Sequence, residues 1–117
     1  MLDLKELKEQ ILEHLLDIRN TLLLFECQEI IYLMPQERQR ELCQLVSMAQ
    51  TSYARLQRAS TEQLSDRMER VEKALLEGMR AMRESMTELT KLETFITEAT
   101  KFTARVQDVS GNASLSI

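Results

Sequence analysis

The chain is predicted to be all-α and oligomeric: an elongated helical bundle or coiled coil, with an antiparallel helical hairpin followed by one long helix. Three observations predict this. Among 117 residues only Pro35, Gly78 and Gly111 are potential helix breakers, and Leu, Glu, Gln, Met, Arg and Ala, which favour helix, fill the intervals. Aromatics are scarce, with three Phe, two Tyr and no Trp, whereas a sheet-containing core of this size needs more β-branched and aromatic side chains. Apolar residues also recur at steps of three and four through most of the sequence, the period of an amphipathic helix rather than a strand.

The first helix is expected over 3–33. Asp3 is a suitable N-cap with Glu6 at the capping-box position. Leu4, Leu7, Ile11, Leu15, Ile18, Leu22 and Phe25 form one seam. A second stripe of Leu12, Leu16, Leu23, Cys27, Ile30, Ile31 and Met34 widens it, so this helix needs two neighbours. Pro35 turns the chain, because proline pushes the preceding residue out of the α region and suits a helix start.

The second helix is expected over 35–59, with Leu42, Leu45, Val46, Ala49, Tyr53 and Leu56 on one face. Ser60 with Gln63 has the spacing of a capping box and marks a bend or break. An unbroken helix through Ser60 is the rival reading, since neither glycine nor proline stands there. The third helix is expected over 61–108. Its seam of Leu64, Met68, Val71, Leu75, Gly78, Met82, Ser85, Leu89, Leu92, Ile96, Ala99, Thr103 and Val106 alternates steps of four and three. At 1.5 Å per residue such a helix is ~70 Å long, against ~46 Å for the first. Part of its seam must then overhang the hairpin. Residues 1–108 make one helical domain, and 109–117, without periodicity, read as a flexible C-terminal tail.

Candidate functional residues follow from that overhang. Ala74, Gly78, Ala81 and Ser85 are small residues at helical spacing beside Leu75, Met79, Met82 and Met86. Small residues allow close helix approach and methionines adapt to irregular surfaces. The expected partner-binding set is Gly78, Ala81, Met82, Met86, Leu89, Leu92, Phe95, Ile96, Phe102 and Val106. Thr87, Thr90, Thr94 and Thr97 lie on the opposite, solvated side.

Chemistry finds little support. The single histidine, His14, has Ile11 three residues before it, so the Glu-x-x-His pattern of a helical di-iron site fails. Cys27 and Cys43 lie eight residues on either side of Pro35; they would face each other across a tight hairpin as a disulfide, or remain two buried thiols. No phosphate loop, Cys-x-x-Cys or nucleophile–base pair occurs, so no enzyme activity, cofactor or metal is expected. The net charge of −4 argues against nucleic acid. No stretch is apolar for ~20 residues, as a membrane span requires, and the mixed charge at the start is unlike a secretory leader. A reducing, cytoplasmic setting fits two free thiols.

The function expected is that of a helical protein–protein interaction module, such as an adaptor, assembly factor or export-type chaperone. It would bury partner helices in a groove and self-associate, most simply as a dimer. The alternative is an amphipathic coat on lipid or polymer granules, for which a Lys- and Arg-rich polar face is the missing element.

Overall fold

The computed structural model describes residues 3–115, and at positions 25, 61, 63, 65 and 110–115 the backbone alone. Five α-helices occupy these residues, with no strand among them: α1 (Leu4–Leu22), α2 (Phe25–Tyr32), α3 (Gln36–Arg58), α4 (Thr61–Ser85) and α5 (Leu92–Leu115), the last preceded by a 3-10 turn at Leu89–Lys91. The fold is an all-α bundle.

Local chemistry sets most of the ends. The Asp3 carboxylate accepts from Glu6 N–H at 2.8 Å, capping α1, while Arg19 in its last turn complements the helix dipole. At the other end of the hairpin, Lys8 Nζ donates to the Ala59 carbonyl at 2.7 Å, neutralising the C-terminus of α3. That bond ties the start of α1 to the end of α3, so the two run antiparallel. Pro35 precedes α3 with extended backbone (φ −55°, ψ 148°) and accepts from Gln39 N–H at 3.0 Å.

The first expected helix, 3–33, is divided at Leu23–Leu24. Leu22, Leu23 and Leu24 point around the whole helix circumference, and a straight helix buries only some of them. Breaking there sends Cys27 and Ile31 into the core and leaves Leu23 and Leu24 half exposed. The carbonyl freed at Leu22 accepts from Gln28 Nε2 at 2.7 Å. Gln39 Nε2 does the same at the far end of α2, donating to the carbonyls of Tyr32 at 3.1 Å and Met34 at 2.9 Å.

The larger correction concerns the expected helix 61–108. It is not a rod but a hairpin, interrupted at Met86–Glu88, where Glu88 is extended (φ −139°, ψ 135°). Ser85 Oγ donates to the carbonyls of Ala81 (2.6 Å) and Met82 (3.2 Å), and Thr87 Oγ1 to that of Glu84 at 3.2 Å. Hydroxyls competing for backbone carbonyls weaken a helix end. The driving force is burial: folding back covers Leu92, Phe95, Ile96, Ala99, Phe102 and Val106, each large one contributing ~1.5–3 kcal/mol. Gly78 permits the close approach, since a Cβ placed on it lies 3.4 Å from Phe102 Cδ1.

The expected tail is corrected as well. Helix α5 continues through residues 109–115, and Val109 is buried; residues 116 and 117 lie outside the described chain.

The α1/α3 hairpin packs on the α4/α5 hairpin, α3 against α5 and α1 against α4. Arg38 bridges Glu41 on its own helix (2.9 Å) and Glu93 on α5 (2.6 Å), and these bonds hold its guanidinium pKa above the usual value. The pairs are largely solvated, so they position α5 more than they stabilise it. The molecule measures 44 × 30 × 18 Å, two helix layers thick, and is not the elongated shape a ~70 Å helix requires. Its radius of gyration, 14.4 Å, is near the ~13 Å of a compact chain this long.

Candidate functional site

The residues expected to meet a partner meet the chain itself. Gly78, Met82, Leu92, Phe95, Ile96, Phe102 and Val106 are buried, Ala81 and Met86 are half-buried, and only Leu89, 48% exposed at the bend, is open. The seam from Met82 to Val106 therefore has an occupant in the closed chain, supplied mainly by α4 and α3.

The open apolar surface lies elsewhere. A groove of about 900 Å3 runs between α1, α2 and α3, with Leu22 and Leu42 in its floor, Leu23, Leu33 and Val46 in its walls and Tyr32 at its edge. A smaller opening of about 220 Å3, between Leu16 and Arg19 on α1 and Gln50 and Tyr53 on α3, lies one helical turn further along the same α1/α3 crevice. Leu33 is 85% exposed and Tyr32 80%, unusual for large apolar side chains standing together.

Helical spacing explains this surface. Leu12, Leu16, Arg19 and Leu23 step 4-3-4 along α1, and Gln39, Cys43, Val46, Gln50 and Tyr53 step 4-3-4-3 along α3. Each row lies beside the buried row of its helix, Leu15, Ile18 and Leu22 or Leu42, Leu45 and Ala49. The α1 half was legible as the second stripe of the first helix. The α3 half was not, because Gln39, Cys43 and Gln50 dilute its apolar signal.

The charges in the crevice are sparse. Glu29 lines the large end and Arg19 the small end; among the described residues neither closes an ion pair with the other's helix. Gln28 and Gln39, two of the uncharged polar lining residues, have their amides engaged at the ends of α2.

Comparison with protein-family models, curated proteins and solved structures returns no match.

His14 is a structural residue. Its Nδ1–H donates to the Gln10 carbonyl at 2.8 Å, since a carbonyl only accepts. Its Nε2 faces Arg83 Nη2 at 3.5 Å, and its ring is tilted 55° to that of Phe102, centroids 6.2 Å apart. Among the described residues no three His, Cys, Asp or Glu side chains gather as a metal site. Nor is any helix long and apolar enough to cross a membrane.

The two thiols do not face each other. Cys43 is exposed in the large groove, while Cys27 is buried beside a separate cavity of about 310 Å3 near the α4/α5 bend. The separation arises because the expected first helix is divided at Leu23–Leu24, and α2 carries Cys27 into the core. Burial, and then the adjacent Glu26 charge, push the Cys27 thiol above its ordinary pKa. Iodoacetamide is therefore expected to alkylate Cys43 in the native chain and Cys27 at least about tenfold more slowly, read by peptide mass mapping. As pH rises, the unfolded chain loses the Cys27 proton before the folded chain does. This contribution to stability is thus present below the ordinary thiol range and lost above it; Cys27→Ala should flatten the alkaline fall.

Proposed function

We propose that this chain is a helical protein–protein interaction module, an adaptor, assembly factor or export-type chaperone, that takes an amphipathic helix of a partner protein into the α1/α3 crevice. The observation that carries this is the pair of facing rows at helical spacing, open to solvent between two antiparallel helices. That is the position another helix fills in a bundle. The α3 row from Gln39 to Tyr53 spans four turns, ~21 Å, which matches a partner helix of ~14 residues.

Three or four apolar anchors at ~1.5–3 kcal/mol each, set against the cost of association, support micromolar affinity. Glu29 and Arg19 select a partner with a basic residue at the α2 end of its apolar stripe and an acidic one towards Tyr53. The rest of the lining is uncharged, so this charge pair sets register more than strength.

A fluorescein-labelled helical peptide of about 16 residues, with leucines at steps of four and three and one charge of each sign at its ends, tests the reading by anisotropy. Saturable binding is expected, with Leu23→Glu/Leu33→Glu weakening it by about tenfold or more. Both side chains are at least half exposed, so the variant should retain its fold by circular dichroism. Equal binding by the variant, or none by the parent chain, overturns the proposal.

A further inference from the structure

The apolar seam that the fold bends in two keeps its phase through the bend. Met82, Ser85, Leu89, Leu92 and Ile96 follow at steps of three and four across the connection, and neither glycine nor proline occurs between Gly78 and Gly111. Obligatory turns are commonly written with residues that resist continuing a helix. Here only Met86, Thr87 and Glu88 stand outside helical structure between Ser85 and Leu89. Leu89 belongs to the seam, yet it is the member left substantially exposed, beside a cavity that Thr21, Cys27 and Phe95 also line.

We propose that two copies of this chain form a dimer by exchanging α5. When Met86, Thr87 and Glu88 adopt helical dihedrals and the 3-10 turn Leu89–Lys91 relaxes to α-helix, α4 and α5 join into one helix, and the α5 of each copy occupies the place between α3 and α4 of the other. The contacts that close the monomer are re-made between chains: Gly78 against Phe102, Arg67 against the Val109 carbonyl and Arg38 against Glu93. The two states therefore differ in the backbone of six residues per chain, three of them already in a 3-10 turn, in the covering of Leu89 where the two long helices cross, and in the entropy of association. The partner is a second copy because the place to be filled already has the shape of this chain's own α5. The inference is independent of the α1/α3 crevice.

Leu89→Pro tests it directly. Leu89 opens the 3-10 turn and follows an extended residue, a position proline accepts. In a continuous helix the same proline lacks the hydrogen bond to the Ser85 carbonyl and collides with it. Thr87→Ala/Thr90→Ala acts in the opposite sense, removing the bonds to Glu84 and Glu88 and raising helix propensity. The full chain, unfolded in guanidinium and refolded at high concentration, is separated by size exclusion with light scattering. A monomer–dimer mixture is expected, with dimerisation weakened about a hundredfold or more by Leu89→Pro and strengthened by the double alanine.

The exchanged segment is identified with Gly78→Cys/Phe102→Cys in a Cys43→Ser background. A Cβ at position 78 lies 3.8 Å from that of Phe102, within disulfide reach. Oxidised dimer should stay dimeric on a non-reducing denaturing gel, and oxidised monomer should stay monomeric. Should that variant fail to fold, the proline and alanine arms decide the matter. A chain monomeric in both parent and double-alanine forms, or a dimer that Leu89→Pro leaves intact, overturns the proposal. Leu23→Glu/Leu33→Glu should leave the exchange unchanged, which separates failure here from failure of the crevice.

Discussion

Phe102→Ala is expected to lower the free energy of unfolding by about 3–5 kcal/mol, the largest effect of any single truncation considered. Phe102 is fully buried on α5, with the Gly78 backbone of α4 on one side and the His14 ring of α1 on another. Three helices therefore converge on one side chain, and none can shift into the space it leaves without losing its other contacts. A chain of ordinary stability, ~5–15 kcal/mol, loses about a fifth of it or more. Urea denaturation followed by far-ultraviolet circular dichroism measures the change. A loss under about 1 kcal/mol would mean that the hairpins are not held together at this point.

The second large effect is at Gly78, where size decides the sign. A methyl group at this position meets Phe102 at 3.4 Å and 3.8 Å, ordinary contact distances, and alanine recovers up to ~1 kcal/mol of helix propensity. Gly78→Ala is thus expected to be neutral or stabilising. Leucine adds three further carbons where the Phe102 ring already lies, and overpacking of this kind costs about 1–3 kcal/mol or more. Thermal melts of the two variants should move in opposite directions from the parent, or the alanine variant should stay level while the leucine variant falls. A parallel loss in both would indicate that Gly78 serves the backbone rather than the α4/α5 contact.

Gly78 also illustrates how far the sequence could be read. Its place in a row of small residues announced a close helix contact, and there is one, but the facing helix belongs to the same chain. All-helical structure was legible because breakers are so few, and the turn at Pro35 because proline acts locally. The bend at Met86–Glu88 was not legible, since Met82, Ser85, Leu89 and Leu92 stay in phase through it. What decides it is the apolar area covered when Phe95 and Phe102 return to α4, a property of the whole chain rather than of any window. The division at Leu23–Leu24 was hidden for a related reason: successive leucines satisfy a helical pattern in every direction. The crevice was half visible, as a second stripe on the first helix, but whether a stripe is covered depends on where its neighbours go.

The short helix α2 carries a consequence of its own. Eight residues are too few to persist as helix in isolation, and α2 is retained by Cys27 and Ile31 below it and by the Gln28 and Gln39 amides at its two ends. It has the makings of the lowest-lying cooperative unit of the molecule, one that opens while both long hairpins stay shut. Because the same segment walls the large end of the crevice, occupancy of that end and slowed amide exchange in α2 are two readings of a single equilibrium.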